Sequence, residues 1–287
     1  MDTVKPGRAH DPAPKGIRLA RALATLGADS RRGSEALIRA GRVAVNGARV
    51  EDVTRNVIPN LDAITLDGKL LSWPRGRHYY ALHKPRGIVS TVRDPHADRT
   101  VVQLIPTTSR LYPVGRLDKD SEGLILLTDD GDFANRVTHP RYQVEKEYRA
   151  QVFPDPTDEM LARIGEGFEL DGKLARPERV QRELRAGEPW VTMVLMEGRK
   201  HEVRRILGMV GLSVRRLIRT RIGRVRLGDL APGRYRELHP QEIAGLLGAQ
   251  PDRSRPLHRS PDHVAPKRAA RAGPPVARRV VTRRVVQ

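Results

Sequence analysis

The sequence contains no cysteine. Disulfide bonds, thiolate nucleophiles and metal sites with cysteine ligands are therefore excluded, and a cytoplasmic location fits this composition. Long apolar runs are also missing, because no stretch approaches the roughly 20 residues of a membrane-spanning helix. No basic segment followed by an apolar one opens the chain, so we expect neither a signal peptide nor a membrane partner.

Aromatic residues are scarce as well, at 4% of the chain against 38% for all hydrophobic residues. The core must therefore be built from leucine, valine, isoleucine and alanine. A length of 287 residues is enough for about two domains, each with a core of its own.

Acidic residues are too few to balance the basic ones. The chain has 53 lysines and arginines against 34 aspartates and glutamates, a formal net charge of +19. Such an excess goes beyond what solubility requires and favours a polyanionic partner. With a membrane partner excluded, nucleic acid is the expected one.

The N-terminal quarter predicts a compact module of two helices and a hairpin. Residues 1–15 are polar and aperiodic, and are expected to be a flexible lead-in. Apolar spacing predicts a first helix that ends at Gly27, and a second over residues 31–40 that buries Ala36, Leu37 and Ala40. Asn46-Gly47, between short alternating runs, predicts a tight hairpin.

Basic residues cluster on the second helix and just beyond it. A solvated helix surface is the ordinary interpretation of such charges. However, the pattern "SRR…A..LI..G.V.VNG" resembles the RNA-binding module named after the fourth small-subunit ribosomal protein, over about residues 16–76. The resemblance implies an RNA-binding role for four arginines: Arg31, Arg32, Arg39 and Arg42.

A second domain is expected over residues 77–248, after the proline- and glycine-containing stretch "WPRGRH". Short apolar strands alternate irregularly with helical patches there. This arrangement predicts an α+β domain with a mixed, largely antiparallel sheet, not a doubly wound parallel one. Residues 249–287 are expected to form a disordered basic tail, because ten basic and two acidic residues of 251–287 are mixed with proline.

The stretch "GRLDKDSEGLILLTDDG", residues 115–131, places several charges directly before an apolar run. A surface turn in which Asp118 pairs with Arg116 or Lys119 would explain them. Asp120 and Ser121 can cap such a turn equally well, however, which leaves Asp118 as a carboxylate at the end of a strand that can be directed at a substrate.

Three blocks carry a second resemblance: "LHKPRGIVSTVRDP", "RLYPVGRLDKDSEGLILLTDDGDFANRVTHPRYQVEKEY" and "EGRKHEVRRILGMVGLSVRRLIRTRIG". In order and spacing they are similar to the motifs of the ribosomal RNA pseudouridine synthases of the RsuA type. With the N-terminal module included, the similarity spans about residues 16–245. It implies an isomerase that converts one uridine of ribosomal RNA to pseudouridine.

The resemblance also implies roles for particular residues. Asp118 in "GRLD" corresponds to the catalytic aspartate, and Tyr148 in "KEY" to the active-site tyrosine. Arg204 in "EVRR" corresponds to the arginine that pairs with the aspartate, and Leu217 in "RLIR" to the aliphatic residue over the base. We also expect Arg116 and Lys84 beside the substrate, at the positions that "GRLD" and "HKPRG" give them.

The chemistry requires a nucleophile and neither a cofactor nor a metal. Whether Asp118 attacks the ribose or the uracil ring stays open. Large-subunit rRNA is the favoured substrate and small-subunit rRNA the second choice, with the protein acting as a monomer. A non-catalytic rRNA-binding assembly protein is the alternative, and a DNA-binding regulator would rest on charge alone.

The basic tail gives a first testable prediction. Deleting residues 251–287 should weaken rRNA binding and flatten its dependence on salt, because fewer counterions are then released, while turnover persists. Binding titrations from low to high salt, alongside an isomerisation assay, measure both effects. An inactive truncated protein would contradict the assignment of the tail as an accessory.

Overall fold

The computed structural model describes residues 16–74, 76–92, 94 and 99–248, and shows a small N-terminal module followed by a larger sheet domain. The expected lead-in and basic tail lie outside the described residues. The elements of the module are β1 (Ile17–Arg18), α1 (Leu19–Thr25), α2 (Arg31–Arg39), β2 (Val43–Val45), β3 (Ala48–Val50), β4 (Asn56–Val57), β5 (Ile64–Leu66) and β6 (Lys69–Leu70).

The second helix of the module begins where the sequence predicted. Ser30 caps it, because its Oγ accepts a hydrogen bond from the backbone N–H of Gly33 at 3.0 Å. The prediction of its buried face was wrong in part: Leu37 is half-buried against the core of the module, but Ala36 and Ala40 are exposed, and the fully buried residues are Ser34 and Ile38. The buried pair is one turn apart, so the helix is rotated relative to the predicted face.

The predicted hairpin is confirmed. Asn46 and Gly47 have φ angles of 51° and 82°, the left-handed conformation that a tight two-residue turn requires at both central positions. β2 and β3 pair antiparallel on either side of this turn, and β2 pairs with β5 on its other edge.

The larger domain is built on one mixed sheet, which confirms the expected α+β class. Its elements are β7 (Tyr79–Lys84), β8 (Tyr112–Val114), β9 (Glu122–Thr128), α3 (Gly131–Thr138), β10 (Lys146–Phe153), α4 (Asp158–Glu166), β11 (Phe168–Leu170), β12 (Lys173–Ala175), β13 (Arg179–Arg185), β14 (Glu188–Leu195), α5 (Glu202–Met209), β15 (Ser213–Ile222), β16 (Val225–Arg226), β17 (Tyr235–Glu237) and α6 (Pro240–Gly248).

The strand order in this sheet is β13-β14-β10-β15-β9-β7-β17, with β16 added to β15 and β8 to β9. Among the described strands, β9 and β15 form the parallel pair, and the other neighbours in the sheet are antiparallel. The parallel pair joins the half of the sheet that holds β10 to the half that holds β7. It also brings the start of β9 against the middle of β15.

The central strand β9 is apolar because both of its faces are covered. Ile125 and Leu127 belong to one hydrophobic cluster, which includes residues of α4 and α5. Leu124 and Leu126 belong to the opposite cluster, which includes residues of α3 and α6. The continuous apolar run therefore reflects a strand buried on two sides.

Two ion pairs connect the N-terminal module to the larger domain. Arg21 on α1 pairs with Asp132 on α3, and Arg110 Nη2 lies 3.3 Å from Asp29 Oδ1. The division near residue 76 stays a prediction, although the buried apolar residues of the module form a cluster of their own. None of the helices in the described part of the chain has the length and apolar content that a bilayer crossing requires.

The contact between β9 and β15 gives a prediction on stability. Gly123 has a φ of 104°, and a Cβ atom there would lie 2.4 Å from the carbonyl oxygen of Arg219. We expect Gly123→Ala to lower the free energy of unfolding by at least about 3 kcal/mol, from backbone strain and overpacking together.

Gly172→Ala is the matched control for denaturant unfolding. Gly172 also has a positive φ, 74°, but a Cβ there would meet no atom within 4 Å. It should therefore cost only about 1 kcal/mol. Equal losses in the two variants would contradict the importance of the close strand contact.

Candidate active site

The loop between β8 and β9, residues 115–121, is fixed by hydrogen bonds from the segment after β7. Ser90 Oγ donates to the carbonyl oxygen of Leu117 at 2.7 Å and accepts from the N–H of Leu117 at 3.1 Å. The N–H of Gly87 donates to the carbonyl oxygen of Lys119 at 2.8 Å. The aspartate between these two anchored residues is thus held in place through the backbone of its neighbours.

That aspartate, Asp118, does not pair as a surface turn would require. Its side chain is 39% exposed, and its Oδ1 lies 3.3 Å from Nε2 of His201. Arg116 and Lys119, the neighbours that the turn hypothesis selected, are both exposed. The carboxylate is directed across the sheet toward the start of α5.

A cavity of about 360 Å³ lies beside Asp118. Tyr148 and Leu217 line it, so the structure brings together three of the residues that the sequence selected. Tyr148 is 8% exposed and Leu217 is 4% exposed. The site therefore combines an accessible carboxylate with a largely buried aromatic and aliphatic wall.

The register of adjacent strands explains this wall. Tyr148 on β10 lies opposite Arg219 on β15, and Ala150 lies opposite Leu217. Residues two apart on a strand share a face, so Leu217 and Arg219 both point toward the cavity side of the sheet. Arg219 also lines the cavity.

Arg204 is not where the sequence placed it. Its guanidinium Nη1 donates to the carbonyl oxygen of Val214 at 3.1 Å, and the residue does not line the cavity. His201, directly before α5, has a left-handed φ of 55° and contacts Asp118 instead. His201 is the cap residue before the first turn of α5, with a left-handed backbone, whereas Arg204 lies within the helix, so the two side chains reach different partners.

Lys84 also departs from its expected role beside the substrate. It is 0% exposed, and its Nζ donates to the carbonyl oxygens of Pro85 at 2.9 Å and Lys119 at 3.2 Å. A buried ammonium group with these partners cannot contact RNA. It supports the loop of Asp118 from behind, and burial lowers the pKa of Lys84 to about 8.

Arg116, in contrast, lies on the cavity lining and is exposed, as expected for a residue beside the substrate. Four further residues line the cavity that were not selected from the sequence: Lys146, Ser121, Arg219 and His201. Alternation was the signal available for two of them, because Lys146 precedes Tyr148, and Arg219 follows Leu217, by two positions.

Lys146 is 8% exposed and donates through Nζ to the carbonyl oxygens of Val144 at 2.9 Å and Met196 at 3.3 Å. Burial lowers the pKa of this lysine to about 8. Burial also raises the pKa of Glu202 at the start of α5. Within the described part of the chain, no group of three or more potential metal ligands is found.

The four arginines assigned to RNA binding have different surroundings. Arg32 and Arg39 are exposed on α2, and Arg39 Nη2 lies 3.3 Å from Oε2 of Glu35. Arg42 is exposed and donates to Asp67 at 2.9 Å. Arg31 is exposed but extends toward the larger domain, since a Cβ on Gly131 would lie 3.3 Å from its Nη2. Their RNA-binding role stays a prediction.

Comparisons with known proteins agree with this geometry. A family model described as RNA pseudouridylate synthase matches residues 78–208, and one described as S4 domain matches residues 17–60. An RNA pseudouridine synthase of Aquifex aeolicus, named as uncharacterized, is 39% identical over 236 residues, or 81% of this chain and 94% of its own length.

Two further relatives extend the comparison. The ribosomal large subunit pseudouridine synthase B of Pseudomonas aeruginosa is 40% identical over 240 residues, which cover 80% of this chain and 61% of that protein. A solved crystal structure of a pseudouridylate synthase superposes with a TM-score of 0.57 at 32% identity, covering 80% of this chain and 99% of the other.

The family matches, together with the cavity beside Asp118, identify the class of protein as an isomerase of RNA. The chain belongs to the RNA pseudouridine synthases, the enzymes that convert uridine to pseudouridine. Within them it is of the RsuA/RluB type, which confirms the resemblance of the three sequence blocks.

The buried Lys84 gives a prediction on pH dependence. Its pKa in the folded protein, about 8, lies below its ordinary value of 10.5. Between these values the unfolded chain binds more protons than the folded one, so this group makes stability rise with pH. The unfolding free energy of the wild type should therefore gain about 1 to 3 kcal/mol over that of Lys84→Met from pH 8 to pH 10.

Denaturant unfolding at several pH values measures this gain. Lys200→Met, at an exposed position on the cavity rim, is the matched control, and its difference from the wild type should stay constant. A constant difference for Lys84→Met as well would contradict the effect of burial on Lys84.

Proposed function

We propose that this protein isomerises one specific uridine of ribosomal RNA, with Asp118 as the nucleophile acting on a nucleotide that has left the RNA stack. The observation that carries the proposal is the position of Asp118 on the wall of a cavity that Tyr148 and Leu217 also line. Large-subunit rRNA is the favoured substrate and small-subunit rRNA the second. The enzyme acts as a monomer in the cytoplasm.

The cavity suits a nucleobase. A flipped nucleotide loses its stacking in the RNA, at a cost of a few kcal/mol. Stacking on an aromatic ring returns about 1 to 3 kcal/mol per base, and Tyr148 supplies such a ring in the cavity. Leu217 covers the base from the neighbouring strand, so that uracil stays trapped after it separates from the ribose.

The carboxylate of Asp118 has the exposure that its role requires. Because its side chain is 39% exposed while the residues behind it are buried, an incoming nucleoside can reach Oδ1 and Oδ2. Its attack on the ribose or on the uracil ring divides one difficult exchange of bonds into two easier steps. On the ribose route Asp118 leaves C1′ as the new carbon–carbon bond forms there, and on the ring route it leaves C6 after that bond has formed.

The partner of Asp118 in this mechanism is His201, not Arg204. His201 Nε2 is 3.3 Å from Asp118 Oδ1 and keeps the carboxylate turned toward the cavity. Arg204 supports the site indirectly, since its bond to Val214 ties α5 to β15. Lys84 likewise positions the loop of Asp118, through its hydrogen bond to the carbonyl oxygen of Lys119.

Support for a large-subunit target comes from the named relatives. Ribosomal large subunit pseudouridine synthases B of Pseudomonas aeruginosa and Vibrio cholerae are 40% and 37% identical to this chain. The cavity lining also carries Arg116 and Lys200, both exposed, which attract the phosphates on either side of the target nucleotide. A purely structural role in ribosome assembly has no observation of its own in its favour.

Mapping of pseudouridine in both rRNAs tests the target. Deleting the gene should remove the modification at a single uridine, and the purified protein should restore it on the unmodified transcript. Loss at a small-subunit position would select the second candidate substrate. Loss at no position would contradict the proposal.

Asp118→Asn tests the nucleophile. The amide keeps the shape of the side chain but cannot attack, so we expect turnover to fall below detection while RNA affinity and melting temperature stay close to wild type. Asp120→Asn, on the same loop but exposed and outside the cavity lining, should keep its activity. Turnover near the wild-type rate in Asp118→Asn would exclude Asp118 as the nucleophile.

A further inference from the structure

Two buried polar atoms of the cavity residues lack a hydrogen-bond partner. They are Oγ of Ser121 and Nη2 of Arg219, and within the described residues neither has an acceptor or donor in the protein. Nearly all buried polar groups in proteins are satisfied, and an orphan destabilises the fold. Two such atoms from residues that line one cavity indicate that its ligand supplies the missing partners.

Arg219 is held rigidly. It is 3% exposed, its Nε donates to the carbonyl oxygen of Leu124 at 2.7 Å, and its Nη1 donates to that of Arg116 at 3.4 Å. One acceptor lies in the loop before Asp118 and the other in β9 after the loop. The guanidinium therefore holds the loop to β9 and has one nitrogen, Nη2, without a partner among the described residues.

The neighbours of Arg219 place it against the base site. Its guanidinium carbon lies 6.0 Å from the ring centroid of Tyr148, directly across the strand pair. On the other side, Gly123 allows β9 to approach the backbone of Arg219 closely. A base that enters the cavity beside Tyr148 thus meets this guanidinium on the same wall.

Ser121 closes the same loop. It is 1% exposed, and its backbone N–H donates to the carbonyl oxygen of Asp118 at 3.1 Å. Its hydroxyl can donate or accept one hydrogen bond that the protein does not use. It is therefore tied to the nucleophile by backbone, while its buried hydroxyl has no hydrogen-bond partner among the described residues.

We propose that Arg219 and Ser121 recognise the uracil of the target nucleotide. Arg219 donates from Nη2 to a ring carbonyl oxygen, with O4 the favoured one, and Ser121 accepts the proton of N3–H. The Watson–Crick edge of uracil presents acceptor, donor and acceptor in turn, so a guanidinium and a hydroxyl from the lining of one cavity can serve two of these positions. This inference rests on the proposed function, because it assumes that uracil enters the Asp118 cavity.

The contact of Arg219 strengthens during the reaction. If Asp118 attacks the ribose, the carbon–nitrogen bond breaks and uracil leaves as an anion whose charge spreads over its ring oxygens. If Asp118 adds to the ring, the electron pair moves to O4 as an enolate. In both routes C5 finally loses a proton and N1 gains one, so the balance is that of an isomerisation and Arg219 exchanges no proton.

A fixed donor aimed at developing charge lowers the barrier more than it improves ground-state binding. Loss of the contact should therefore reduce kcat and leave KM for RNA largely unchanged. If Arg219 served only to hold the fold, the effect of its substitution on kcat would not depend on the atom at position 4 of the base.

The experiment for Arg219 compares two substrates in two enzymes. A rRNA fragment that contains the mapped uridine is prepared with uridine or with 4-thiouridine, whose sulfur is a weaker acceptor. We expect the ratio of the two kcat values to differ between wild type and Arg219→Lys by about 10- to 100-fold, the scale of one hydrogen bond to a charged group. A fragment with 2-thiouridine tests the other carbonyl.

Arg215→Lys is the matched control. Arg215 lies on the same strand, but it is exposed and its guanidinium is 4.8 Å from the ring centroid of Phe153, outside the cavity. It should give the wild-type ratio with every substrate. Equal ratios in wild type and Arg219→Lys at both carbonyl positions would overturn the role of Arg219.

Ser121→Ala keeps the proposal testable if the arginine variants fold poorly. Removing an unpartnered hydroxyl should leave the melting temperature unchanged or raise it, because a buried orphan disappears, yet kcat should fall about 10-fold. Unchanged kcat would overturn the role of Ser121. An active Asp118→Asn variant would instead refute the proposed function, so the two failures are distinguishable.

Discussion

The parallel contact between β9 and β15 is the constraint on which the site depends. It can form because Gly123 has no side chain, so the backbone of Arg219 approaches a strand that is buried on both faces. This contact joins the two halves of the sheet. It also brings the loop with Asp118, at the start of β9, within reach of α5 and of the wall formed by β10 and β15. Without that contact, the strands that position Asp118 and Tyr148 would belong to two separate sheets.

Positive charge is concentrated inside the protein as well as on it. Lys84, Lys146 and Arg219 are all buried near the cavity, and the arginine contributes to the lowered pKa of both lysines. Each cation is directed at backbone carbonyl oxygens. Burying these like charges near one another is unfavourable, but the three cations hold the loop of the nucleophile and the wall of the base site. Active sites are where such unfavourable electrostatics commonly occur.

Local patterns predicted the fold well. Capping, apolar spacing and Asn46-Gly47 determine the helices and the hairpin by contacts within a few residues, so the sequence contains them directly. The mixed sheet followed from strands that alternate irregularly with helices. The prediction of the buried face of α2 was wrong in part because small residues such as Ser34 and Ala36 carry too weak an apolar signal to orient a short helix.

The site was predicted less completely. Asp118, Tyr148 and Leu217 were selected from their motifs and meet at one cavity. Arg204 and Lys84 were misplaced because a motif fixes the position of a residue on its element but not the direction of a long side chain. Arginine and lysine have enough rotatable bonds to reach β15 or a backbone carbonyl instead of the cavity. Long-range packing decides which of these positions the side chain takes.

The ion pairs of Arg21 with Asp132 and of Arg110 with Asp29 have a consequence for target choice. They set a defined span between the exposed arginines of the N-terminal module and the mouth of the cavity. If these arginines bind RNA, as proposed, the uridine that enters the cavity lies at a fixed distance from the RNA feature that the module contacts. Target choice would then depend on the fold of the RNA as well as on the sequence around the uridine.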